Sequence, residues 1–276
     1  MNILDAIVLG IVEGLTEFLP VSSTGHLTIA EKLLGKDIDA DSVTAFTAVI
    51  QVGAIIAVLI YFREDIRKLL SAVFGGFRNE ERRKSDPNWR FAWLIVIGSI
   101  PIGIAGLAFK SVIEGPLRSL WVVGAALILW SPVMVYAEHE ARQDRGERQL
   151  RPRDVIVIGL VQCFSLIPGV SRSAATISAG LLRGFDRVTA TRLSFFLAIP
   201  ALVAAGLYEL KDALGQGVGA GPTIVGTVVS FLVAYATIAW LLRFVAHHSI
   251  AKFVPYRVAV GAIVLVVLVA TGSSAT

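Results

Sequence analysis

The chain has 276 residues, of which 55% are hydrophobic and only 17% are charged. A mean hydropathy of +0.73 excludes an ordinary soluble globular protein, in which about 25% of residues are charged. The net charge of +4 does not indicate nucleic-acid binding, because the basic residues flank apolar segments as membrane topology requires, and the single cysteine excludes an internal disulfide.

The first apolar segment, residues 3–34, is unlike a simple membrane span. Its polar residues are Glu13, Glu17, Ser22, Ser23, Thr24 and His26, and Pro20 interrupts it. Non-helical backbone and charge at bilayer depth are tolerated only where they pack in protein or line a wet cavity. We therefore predict a re-entrant helical hairpin, which enters and leaves the membrane on one side.

Three clean spans follow, at residues 43–62, 91–109 and 120–137. Each is long enough to cross a hydrocarbon core of about 30 Å, which takes roughly 20 helical residues. A second interrupted segment comes next, at 155–184, with Pro168 and Gly169 near its middle. Because Ser171, Arg172 and Ser173 follow that break, we predict a second re-entrant hairpin.

The last three spans are residues 193–208, 223–242 and 254–271. Basic residues give the orientation of all six spans. The segments 63–90, 142–153, 183–192 and 243–257 hold 19 of the 25 Lys and Arg residues, and they alternate with basic-poor loops. By the positive-inside rule the four basic segments are cytoplasmic.

The two interrupted segments resemble each other in the placement of Gly10 and Gly159, and of Pro20 and Pro168. Three spans follow each segment. The chain is therefore predicted to be an all-α membrane protein made of two repeats, 1–140 and 152–272, in one membrane domain. An odd number of crossings per repeat inverts the second copy, so the two broken segments would face each other near the midplane.

The polar residues of the two hairpins predict a phosphate site. Glu13 and Glu17 share a helix face and need a cation, a basic partner or a shared proton. A helix that begins near Ser22 would bring His26 onto the same face as Ser22, with free N–H groups aimed at the turn. Arg172 offers a planar fork for phosphate oxygens. In such a site His26 would be an acid or base and a hydroxyl would be a nucleophile.

Both motifs resemble those of the bacterial undecaprenyl-diphosphate phosphatases of the bacitracin-resistance type. The matching residues are 13–26, EGLTEFLPVSSTGH, and 168–176, PGVSRSAAT. The resemblance implies hydrolysis of undecaprenyl diphosphate to undecaprenyl phosphate and inorganic phosphate, which recycles the lipid carrier for peptidoglycan synthesis. It also implies a bacterial plasma membrane location, a site open to the outer side, a homodimer and no organic cofactor.

The resemblance also assigns roles. It makes Glu13, Glu17, Ser23, His26 and Arg172 catalytic, and places Mg2+ or Ca2+ near the two carboxylates. The phosphate-binding residues it implies are Ser22, Thr24, Ser171, Ser173 and Arg172. Either Ser23 attacks the terminal phosphorus with His26 as acid and base, or water attacks directly.

Two other functions fit parts of the pattern. Inverted repeats with broken helices are a transporter architecture, so an anion transporter or a lipid flippase is the main alternative. A channel or structural protein without turnover is the third. The clustered hydroxyls beside His26, opposite Arg172, favour an enzyme, because a transporter needs no nucleophile.

Overall fold

The computed structural model describes residues 1–38, 40–213 and 219–272. Every regular element in these residues is a helix. The α-helices are α1 (Ile3–Thr16), α2 (Ser23–Leu33), α3 (Asp41–Tyr61), α4 (Arg63–Arg78), α5 (Glu80–Ser85), α6 (Pro87–Ala108), α7 (Lys110–Glu114), α8 (Leu120–Glu140), α9 (Pro152–Gln162), α10 (Arg172–Leu182), α11 (Arg187–Ala213), α12 (Ala220–His247) and α13 (Val254–Thr271).

Six stretches among the described residues are long and apolar enough to cross a membrane. They are Ser42–Tyr61, Pro87–Ala108, Leu120–Glu140, Arg187–Ala204, Ala220–His247 and Ile250–Thr271. Each contains or overlaps one of the predicted spans, so the six spans and the all-α membrane fold are confirmed. Residues 214–218, in the basic-poor loop before α12, lie outside the described residues.

Both interrupted segments form a helix, a turn and a second helix. Residues 17–22 join α1 to α2, and residues 163–171 join α9 to α10. Each turn ends on a serine in the left-handed region, with φ of 78° at Ser22 and 76° at Ser171. Such a conformation costs on the order of 1–3 kcal/mol in a residue other than glycine, so contacts around the turns must maintain it. Each serine then caps the helix that follows, by accepting a hydrogen bond from the N–H three residues later.

In each hairpin a buried carboxylate near the start forms a salt bridge with a basic residue near the end. Asp5 in α1 pairs with Lys36 at 2.6 Å, and Asp154 in α9 pairs with Arg145 at 2.6 Å and Arg183 at 2.7 Å. Burial alone would raise the pKa of Asp154, but hydrogen bonds from the two arginines outweigh it and hold that pKa below its ordinary value. The second hairpin begins at Pro152, three residues before the predicted start.

The hairpins pack on helices from the other half of the chain. α1 lies along α12, and α9 lies along α6. Glycines permit the close approach, because a Cβ atom at Gly10 would lie 2.6 Å from Gly226 O, and one at Gly159 would lie 2.2 Å from Gly98 O. Small residues at such crossings let helix backbones touch within a membrane. Because each hairpin packs on a helix of the other half, the two turns lie next to each other.

The basic segment 63–90 contains structure that the charge pattern did not indicate. Residues 63–78 form α4, which has an apolar stripe of Leu70, Phe74 and Phe77 exposed on one side. Their spacing is that of one helix face. This helix was missed because the segment was assessed only by its charge.

Candidate active site

Glu17 links the two hairpins. Its Oε2 accepts a 2.6 Å hydrogen bond from Ser23 Oγ in the first hairpin, and its Oε1 pairs with Arg172 Nη2 of the second at 3.0 Å. The side chains of Glu17 and Arg172 are only 5% and 11% exposed. A carboxylate that accepts a hydroxyl hydrogen is positioned to take that proton when the hydroxyl attacks a substrate.

Three other serines bind backbone of the turns. Ser22 Oγ accepts a hydrogen bond from Gly169 N at 3.0 Å, across the gap between the hairpins. In the opposite direction, Ser173 Oγ donates to Leu19 O at 2.9 Å, and Ser171 Oγ lies 3.0 Å from Ser173 Oγ. These hydroxyls fix the turns against each other, and Ser22, Ser171 and Ser173 are all buried.

The N-termini of α2 and α10 belong to these same linked turns. The first N–H groups of a helix have no partner within it and carry partial positive charge, so both ends are suited to an anion. Ser23 is half-buried and Thr24 is exposed, so the first hairpin is open to a ligand. Every residue of α10 from Ser173 to Leu181 is buried, and of its first turn Arg172 is the residue that is only partly covered.

His26 lies on the same face of α2 as Ser22, as predicted. Its Nδ1 is 2.8 Å from Ser22 O, and its Nε2 is 2.8 Å from the hydroxyl oxygen of Tyr256. Because a carbonyl oxygen only accepts, Nδ1 carries the hydrogen in this contact. The hydrogen-bond partner of Ser23 Oγ is Glu17 rather than His26, so the carboxylate is the group positioned to act as base for Ser23.

Arg257 belongs to the basic segment 243–257, but the structure buries it in the site instead of exposing it in a loop. It lies in the first turn of α13 and is fully buried. Its Nη1 donates to Pro20 O at 2.9 Å, and its Nη2 donates to Gly169 O at 2.9 Å and Val170 O at 3.2 Å. The rule that singled out Arg172, that an arginine inside a span is costly, would have found Arg257 too. No comparable signal identified Tyr256, because a tyrosine near a span end is typical of an interface anchor.

Glu13 and Glu17 supply two carboxylates at the predicted cation position, fewer than the roughly six ligands that Mg2+ or Ca2+ takes. Glu13 is fully buried on α1, one turn before Glu17. Both oxygens of Glu17 are already engaged, by Ser23 and by Arg172. Among the described residues no group of three or more His, Cys, Asp or Glu side chains could hold a metal ion.

The chain is similar to known proteins over nearly its whole length. The family model described as bacitracin resistance protein BacA matches residues 6–263. A protein named "Undecaprenyl-diphosphatase 3" from Frankia casuarinae is 61% identical, over 99% of this chain and 98% of its own length. Proteins named "Undecaprenyl-diphosphatase" from Acidothermus cellulolyticus and Cutibacterium acnes are 58% and 56% identical, over 97% and 96% of both chains. The chain therefore belongs to the bacitracin resistance protein BacA family.

Proposed function

We propose that this chain hydrolyses undecaprenyl diphosphate to undecaprenyl phosphate and inorganic phosphate. Its relatives carry the name of that activity, and it would recycle the lipid carrier for peptidoglycan synthesis and confer bacitracin resistance. The observation that carries the proposal is the contact of Glu17 with both Ser23 and Arg172, between two linked turns of a membrane protein.

In the proposed reaction Ser23 attacks the terminal phosphorus. Its Oγ–P bond forms as the anhydride P–O bond breaks, undecaprenyl phosphate leaves, and Glu17 takes the hydroxyl proton. Water then attacks the phosphorus of the phosphoserine, the Ser23 Oγ–P bond breaks, and Glu17 returns its proton to Ser23 Oγ. The oxygen and protons of the water leave in the released phosphate. Arg172 and the N-termini of α2 and α10 would neutralise the charge of the transferring group.

Direct attack by water is the alternative mechanism. His26 stays the predicted acid or base for the water molecule or for the leaving group, since it lies at the open side of α2. The divalent cation that the family resemblance implies also stays a prediction, because its further ligands would be diphosphate oxygens that only the bound substrate supplies.

We further propose that the two halves are inverted repeats, that the site opens to the outer side of the plasma membrane, and that the protein is a homodimer. The contacts of α1 with α12 and of α9 with α6 support the repeat. In each case the first helix of a hairpin packs on the second span of the opposite half. The basic segments 63–90 and 142–153 support the orientation.

The test is phosphate release from a polyprenyl diphosphate by the purified protein in detergent. We expect release by the wild type and less than about a hundredth of its rate from Ser23→Ala. No release by the wild type with any divalent ion would overturn the hydrolase and leave a transporter, or a protein without turnover, as the function. Phosphoserine trapped at Ser22 instead of Ser23 would move the nucleophile to Ser22.

A further inference from the structure

Two consecutive residues of α13, Tyr256 and Arg257, contact different parts of the site. Tyr256 reaches the imidazole of His26, and Arg257 reaches the backbone of both turns. Neither contacts Glu17 or Ser23 in the hydrogen bonds of the described residues. Any effect they have on the reaction must therefore pass through the groups that they hold.

Arg257 is a charged residue in a place where charge is costly. Its side chain is fully buried, and its hydrogen-bond partners among the described residues are neutral oxygens, three carbonyls and the hydroxyl of Ser131. Burying a charge without an opposite charge is unfavourable, and well-packed apolar residues often stabilise a core as well or better. Core stability therefore does not account for a guanidinium here.

The hydrogen bonds of the Arg257 guanidinium account for an arginine at this buried position. One terminal nitrogen binds Pro20 O in the first turn, and the other binds Gly169 O and Val170 O in the second. A single rigid plane thus sets the spacing of the turns, which carry Glu17 and Ser23 on one side and Arg172 on the other. In a trans peptide the C=O and N–H groups point in opposite directions, so binding Val170 O aims the Ser171 N–H away from Arg257.

Tyr256 orients His26. The Tyr256 hydroxyl lies 2.8 Å from His26 Nε2, and the two rings are stacked, with centroids 5.5 Å apart and planes 12° from parallel. Because His26 Nδ1 donates to Ser22 O, Nε2 of the neutral ring is an acceptor and the Tyr256 hydroxyl is its donor. The Ser22 carbonyl thus sets the tautomer of the imidazole, and the Tyr256 hydroxyl holds the plane of the ring.

We propose that Tyr256 and Arg257 are positioning residues for phosphate transfer. Arg257 holds the two turns at the spacing that lets Glu17 meet Ser23 and Arg172, and Tyr256 holds His26 in its reactive orientation. This inference rests on the proposed hydrolase function. Both residues act through geometry, so their loss should lower kcat more than it raises KM.

The first experiment is a double-mutant cycle on phosphate release. We expect Tyr256→Phe, which keeps the ring and removes one hydrogen bond, to lower kcat about tenfold. In a His26→Ala background the same substitution should change the residual rate by less than about twofold, because the partner of the hydroxyl is gone. Tyr136→Phe, an exposed tyrosine on α8, is the matched control and should keep the full rate.

The second experiment uses Arg257→Lys, which keeps the charge but reaches only one turn. We expect kcat of the folded protein to fall about 100-fold, with KM within about threefold of wild type. The control is Arg243→Lys on the exposed end of α12, which should leave kcat and KM unchanged. Loss of folded Arg257→Lys protein, or a kcat within twofold of wild type, would overturn the positioning role of Arg257.

The outcomes separate this inference from the function on which it rests. A wild type that releases no phosphate would overturn the hydrolase itself. An active wild type with full activity in Tyr256→Phe, or an equal effect of that substitution with and without His26, would overturn only the role of Tyr256.

Discussion

Ser23 Oγ donates a 2.6 Å hydrogen bond to Oε2 of Glu17, six residues earlier and across the first turn. Arg172 holds the other oxygen of the same carboxylate. The Glu17 carboxylate is thus held at one oxygen by the Ser23 hydroxyl and at the other by the Arg172 guanidinium of the second hairpin. The contact makes the carboxylate, rather than an imidazole, the nearest base to the hydroxyl.

Glu17→Gln should lower kcat for phosphate release at least about 100-fold, because an amide cannot take the proton of Ser23. Phosphate release at saturating substrate measures the effect. Glu31→Gln is the control, since Glu31 is also a buried glutamate of the first hairpin but is hydrogen-bonded to Thr47. A Glu17→Gln enzyme with more than a tenth of the wild-type rate would exclude Glu17 as the base.

Arg172→Ala should reduce turnover below about a tenth of the wild-type rate, since it removes the fork that would bind phosphate oxygens. The folded fraction, followed by size-exclusion chromatography in detergent, should change little. Arg183→Ala at the end of the same helix removes an ion pair with Asp154 and should lower stability, not the rate per folded molecule. Equal rates for the two variants would contradict a phosphate-binding role for Arg172.

Gly159→Ala should destabilise the protein by about 1–3 kcal/mol, because its Cβ would lie 2.2 Å from Gly98 O, where no atom can be accommodated without a backbone shift. Thermal unfolding in detergent measures this. Gly103→Ala is matched to it, since Gly103 is also in a helix but has nothing within 4 Å of its Cβ position. Equal unfolding temperatures for both variants would show that α9 and α6 are less closely packed than described.

Asp154→Asn should lower the free energy of unfolding at neutral pH by about 2–3 kcal/mol. The loss is smaller than for a fully buried ion pair, because Arg183 is 39% exposed and solvent screens its charge. The folded-state pKa of Asp154 is depressed, so its contribution is complete above the unfolded pKa of about 4 and is lost as the pH falls through the folded value. Wild type should therefore lose more stability than Asp154→Asn on acidification below about pH 4. The exposed residue Asp144, changed to Asn, should behave as wild type.

A cysteine placed at Ser85, in a background where Cys163 is alanine, should react with a membrane-impermeant thiol reagent only from the cytoplasmic side. Ser85 is exposed and lies in the segment with eight basic residues. Labelling in intact cells, compared with labelling in inverted vesicles, measures the side. Labelling in intact cells would reverse the proposed orientation.

Much of the fold could be predicted because the bilayer imposes simple rules. Length and hydropathy located all six spans, and the cost of Arg172 in an apolar segment located the second hairpin. Helical spacing also placed His26 correctly against Ser22.

The contact of Ser23 with Glu17 could not be read from spacing. Pro20 and the left-handed Ser22 reverse the chain between them, and no periodic pattern describes a turn. Tyr256 and Arg257 are more than 200 residues from their partners in the first hairpin, so their contacts could not be predicted either. Tyr256 also looks like an ordinary interface residue, whereas the cost of an arginine inside a span does mark Arg257.

Arg257 also bears on how the protein is made. It belongs to α13, which leaves the ribosome after every other described helix. Until then a nascent chain holds Glu17, Ser23 and Arg172 in the membrane without the guanidinium that joins their turns. The site is therefore complete only after α13 has been made, and we expect a chain truncated before α13 to lack activity on the carrier lipid.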